Sequence, residues 1–167
     1  GTGTGFIFEI STGNSTGDGS TLVLTDHSVV EGADTIEVMV KDVGILPAEV
    51  QGLDLKIGLA VLRICCGEFT PLVLETNTAP EPGDSVFAMG HTQGSSGPSS
   101  ADPGLIIGFQ SPGGIGLILT DIELVPGLSG GPLLSADGQV LGINISDHEG
   151  TYRESAGESG SFAISEW

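Results

Sequence analysis

The hydrophobic positions of this chain fall in short runs separated by glycine, proline and polar clusters, and several runs alternate apolar with polar residues. A pleated strand turns successive side chains to opposite faces, so this is strand patterning. Segments 5–9, 21–25, 35–40, 45–50, 59–64 and 71–74 read as strands, with Pro47 marking an edge or a bulge in the fourth. Residues 11–19 read as a polar hairpin loop. The pattern then stops at a proline-rich, apolar-poor stretch, which sets a first unit at 1–76, a linker at 77–84 and a second unit at 85–167. The second unit repeats the plan, with strands over 85–90, 105–109, 116–120, two flanking Ser129, and 161–164. The class implied is all-β: two packed antiparallel six-stranded β-barrels, with any site drawn from both.

Length and charge narrow the picture. A chain of 167 residues can fill one sizeable core or two small barrels. It has no run of 18 apolar residues, so no membrane-spanning helix is expected, and residue 1 does not open a signal-peptide pattern. The net charge is -18, from 22 acidic against 4 basic side chains. So negative a surface repels phosphate backbones and anionic lipid heads, which argues against nucleic-acid or membrane-surface partners and for solubility in a salty or extracellular medium. Cys65 and Cys66 are adjacent; a bond between neighbours closes a strained ring, so free buried thiols or one intermolecular bridge are expected. No paired histidine or Cys-x-x-Cys accompanies them, and no metal or cofactor is implied. His91 and His148 fall in polar loops. Of the sequons at Asn14 and Asn144, the second lies within a strand.

The candidate chemistry centres on Gly127-Leu128-Ser129-Gly130-Gly131-Pro132-Leu133-Leu134, followed by a turn and a second apolar strand. Gly127 and Gly130 allow a loop that aims the Gly127 and Ser129 amides at one point beside the Ser129 hydroxyl, as a nucleophile with an oxyanion hole requires. Together with Leu24-Thr25-Asp26-His27-Ser28-Val29-Val30, set against a Leu-Thr-x-x-His-Val-Val pattern, this closely resembles trypsin-like serine proteases of the HtrA (Deg) branch. The opening 3–6 and the closing 161–164 resemble that branch too. The resemblance implies Ser129 as nucleophile, His27 as general base with one extra residue after it, and the Gly127 and Ser129 amides as oxyanion donors. It also implies a substrate pocket near Glu123, Ile143, Asn144 and Ile145, suited to a small or medium apolar side chain, with Glu123 able to recruit a basic one.

The chain departs from the family where the orienting aspartate should open the fifth strand, because that position is Gly58. Asp54 lies four residues earlier and would be roughly 13 Å away on an extended chain. Unless Asp54, Asp26 or another carboxylate substitutes, nothing then fixes the imidazole tautomer, and loss of the carboxylate in the template triad lowers turnover by about 10⁴-fold. Leu128 replaces a residue that is commonly Asp or Asn, removing a polar brace from the loop. Two readings follow: a serine endopeptidase impaired by the missing aspartate, or a pseudoprotease that binds polypeptide or self-assembles through exposed strand edges. An extracellular adhesion or fibre subunit would explain the acidity but not the ordered motifs. The expected partners are a polypeptide substrate or a protein, with homo-oligomers allowed, in a secreted or periplasmic setting.

Overall fold

The computed structural model describes residues 1–11, 20–65, 67, 69–74, 79–91, 100–125, 127–145 and 161–164. In the first unit β1 (Gly5–Ser11), β2 (Ser20–Asp26), the four-residue helix α1 (His27–Val30), β3 (Ile36–Val40), β4 (Gly44–Asp54) and β5 (Leu59–Cys65) follow in order. They form one antiparallel sheet in the order β1-β2-β5-β4-β3. The second unit holds β6 (Ser85–Gly90), β7 (Ser100–Gln110), β8 (Leu117–Thr120), β9 (Pro132–Ser135), β10 (Val140–Ile145) and β11 (Ser161–Ile164). These close into a barrel ordered β10-β11-β8-β7-β6-β9.

The all-β class is as expected, but the first unit has five strands among the described residues, not six. Segment 71–74 makes a single parallel bridge, Leu74 to Val140, in place of the expected strand. It runs between the two units, with Leu72 N–H donating to Ile7 O (2.9 Å) and Val140 N–H to Val73 O (2.9 Å). Its backbone groups are divided between two sheets, which prevents it from forming a ladder with either. β7 is longer than its apolar run because Pro103 and Gly104 pair with Phe87 and Val86 across β6.

Burial follows the strand period. On β2, Val23 points into a first-unit core with Val30, Ala60, Leu62 and Ile64. Its neighbour Leu24 points the other way, into a core shared by both units. That shared core joins Phe6, Leu24 and Leu59 to Leu117, Leu134, Val140, Ile143 and Ile145. Strands covered on both faces must be apolar on both, which is why 59–62 reads as a continuous run, broken where Arg63 turns outward to pair with Glu49. The barrel interior is filled separately by Val86, Ala88, Ile106, Ile118, Ile122, Leu133 and Leu141.

Cys65 is exposed at the end of β5 and disulfide-bonded, contrary to the expectation of a free buried thiol, while Cys66 lies outside the described residues. No helix among the described residues is long and apolar enough to cross a membrane.

Candidate active site

The two motif segments meet where the units pack. β2 keeps unbroken register against β5 from Ser20↔Cys65 to Asp26↔Leu59. Asp26 then turns the chain into α1 as its N-cap, its Oδ1 accepting from Ser28 N–H at 2.9 Å. A carboxylate at this position satisfies an amide that the helix itself leaves unpaired. From the second unit, the loop between β8 and β9 brings Ser129 to the same place.

Thr4, 8% exposed, ties this loop down. Its N–H donates to Ser129 O (2.9 Å) and its Oγ1 donates to Gly127 O (2.6 Å). Thr4 Oγ1 also accepts from His91 N–H (2.9 Å), and Thr4 O accepts from Thr25 Oγ1 (2.7 Å). On the other side Gly130 N–H donates to Asn144 O (2.7 Å), and Asn144 N–H donates to Gly131 O (2.8 Å). Leu128 is fully buried, and a Cβ on Gly90 would press against its side chain. The loop is therefore braced by backbone hydrogen bonds, the Thr4 hydroxyl and the apolar packing of Leu128. Replacing Thr4 by valine strands the buried Gly127 carbonyl and is expected to cost about 1–3 kcal/mol, read as a lower urea midpoint. An unchanged midpoint would show that the loop is held without it.

The hydrogen-bond partner of the Ser129 hydroxyl differs from expectation. Ser129 Oγ donates to Asp26 Oδ2. Among the described residues no hydrogen bond joins Ser129 to His27, whose backbone N–H donates to Gly58 O at 2.8 Å. The reason lies in the spacing. The segment Leu24 to Val30 is as long as the Leu-Thr-x-x-His-Val-Val pattern, so no residue is inserted, and Ser28 stands where the histidine belongs. On a helix a one-residue displacement turns a side chain by about 100°. His27 therefore stands one place before the position the pattern gives the histidine. Asp26 was legible as an N-cap, being an acidic residue directly before a short apolar helix, yet its second oxygen's contact with Ser129 links positions 103 residues apart and has no sequence signature.

The other expected residues are placed as follows. Gly58 sits at φ +73, with open space around the position a Cβ would take. Asp54 is not on an extended approach to it. β4 and β5 form a hairpin in which Asp54 pairs with Leu59, and Asp54 Oδ1 accepts from Lys56 N–H (2.9 Å) and Ile57 N–H (3.2 Å). That carboxylate closes the turn through its Oδ1. Ile143 and Ile145 do not line an open pocket; both are buried in the shared core. Asn144 is 1% exposed, with Nδ2 donating to Pro132 O at 3.1 Å, so it pins the serine loop. Its burial also speaks against glycosylation there. Glu123 is exposed.

A model of the trypsin-like peptidase domain matches residues 3–143. The putative serine protease HhoB of Synechocystis is 34% identical over 86% of this chain and 34% of its own length. The Do-like serine protease HtrA of Bacillus subtilis is 32% identical over 86% of the chain and 33% of its length. The chain thus spans about a third of these curated relatives. Among solved structures, the HtrA-type protease AlgW with a decapeptide superimposes at TM-score 0.76 with 28% identity, covering 98% of this chain and 47% of that one. The serine endoprotease of Yersinia pestis gives 0.73 with 25% identity, covering 96% and 57%. With the serine loop, the strand order and these matches in agreement, the chain belongs to the trypsin-like peptidase domain family, in its HtrA branch.

Proposed function

We propose that this domain engages extended polypeptide in the groove between its two units and hydrolyses it on the order of 10⁴-fold more slowly than an intact triad would. The observation that carries this reading is the hydrogen bond from Ser129 Oγ to Asp26, with position 58 lacking a side chain. The family supports a polypeptide ligand, and one solved relative is described with a decapeptide. Relatives named as periplasmic endoproteases support a site of action outside the cytoplasm.

A second reading is the working endopeptidase, with Ser129 and His27 as the reacting pair and the Gly127 and Ser129 amides as oxyanion donors. The intact bracing of the serine loop favours it. A fluorophosphonate probe separates the two, alongside anisotropy of fluorescein-labelled casein. The binding reading expects saturable casein binding, slow labelling of Ser129, and a labelling rate unchanged in His27→Ala. Fast labelling that collapses in His27→Ala would establish the endopeptidase instead, and absence of casein binding would remove polypeptide as the ligand.

A further inference from the structure

We infer that whatever acyl-transfer chemistry survives at Ser129 runs through Asp26, acting as the proton acceptor in place of an imidazole. This inference rests on the reading of Ser129 as a weakened nucleophile. Three observations support it. Asp26 is 5% exposed, so its carboxylate is screened from bulk water. Its Oδ1 is fixed by Ser28 N–H at 2.9 Å, which leaves Oδ2 aimed at one target. That target is the Ser129 hydroxyl, already donating its hydrogen to Oδ2. A general base must lie within hydrogen-bond reach of the proton it removes, and Asp26 meets this condition.

The substrate class is acyl compounds with good leaving groups, aryl esters above all, with peptide bonds far slower. In the acylation step Ser129 Oγ bonds to the carbonyl carbon, the C=O π pair moves onto oxygen, and the Oγ proton passes to Asp26 Oδ2. Collapse of the adduct restores C=O and breaks the bond to the leaving group, which departs with the Asp26 proton, or as a free aryl oxide while Asp26 gives that proton to solvent, so the carboxylate is regenerated either way. Water then attacks the acyl-enzyme, giving its proton to Asp26, and Ser129 Oγ leaves as the carboxylic acid forms. The proton returns to Oγ, so atoms and charges balance without another reagent.

The test is p-nitrophenyl acetate hydrolysis by the wild type and by Ser129→Ala, Asp26→Asn and His27→Ala. Asparagine caps a helix about as well as aspartate, so Asp26→Asn keeps the bond to Ser28 while abolishing proton acceptance. If it fails to fold, Asp26→Ser, also a capping residue, takes its place. The expected result is a wild-type rate that falls at least tenfold in both Ser129→Ala and Asp26→Asn and stays within twofold in His27→Ala. The inference is overturned if Asp26→Asn matches wild type, if His27→Ala falls with it, or if Ser129→Ala changes nothing. The last outcome leaves casein binding, and with it the proposed function, untouched.

Discussion

Gly130→Ala is expected to destabilise the protein by about 3 kcal/mol or more, a sum of left-handed strain and overpacking. Gly130 lies at φ +83, a region that costs an L-residue about 1–2 kcal/mol. A Cβ there would also collide with the Thr4 carbonyl oxygen, Thr25 Oγ1 and the Asp26 amide nitrogen. None of these can retreat freely, because Thr4 and Thr25 are hydrogen-bonded to each other and Asp26 lies in register against Leu59. Gly58→Ala is the control: it has the same sign of φ but nothing within 4 Å, so it carries the strain without the collision. Urea denaturation of both variants reads the difference. Equal losses would mean that the serine loop can shift away from β2, and that the convergence of the two units is looser than described.

The triple variant His27→Ala, Ser28→His, Gly58→Asp is expected to raise kcat/KM on a fluorogenic peptide by on the order of 10³-fold, within the range that a triad contributes. Gly58→Asp alone should change it by less than about threefold, since an aspartate oriented toward a misplaced histidine has nothing to act on. The structure permits the change at 58. There is room for the side chain, and Asp is among the residues that tolerate positive φ. The histidine moves one helical step to the position the family pattern gives it, while the loop anchored by Thr4 and Asn144 stays as it is. A triple variant no faster than wild type would place the defect in the oxyanion loop or the substrate groove, not in the relay.

Much of this was legible in the sequence, and the failures have identifiable causes. The strand positions followed from runs such as 59–64 and 85–90, because burial on one or both faces leaves a direct mark on residue choice. The serine loop was legible because its glycines answer a local backbone demand. Segment 71–74 reads as a strand but makes only a bridge, since an apolar run does not show whether its backbone pairs with one sheet or spans two. Asp54 was placed too far from Gly58 because 55–57 lacks the usual hairpin dipeptides; the positive φ of Gly58 makes the reversal. Ile143 and Ile145 were given to a pocket by resemblance, whereas core packing between the units claims both. The pairing of Asp26 with Ser129 depends on how two sheets dock, which no local pattern records.

The crossing segment at 71–74 has a consequence for how a ligand would be received. It is stitched to β1 on one side and to β10 on the other, over apolar side chains contributed by both sheets. A hinge-like gape would have to break these backbone links and wet that layer, at roughly 25 cal/mol for each Å² uncovered. The two sheets are therefore held in one fixed relation, and a polypeptide received as proposed above would have to adapt its own shape to them.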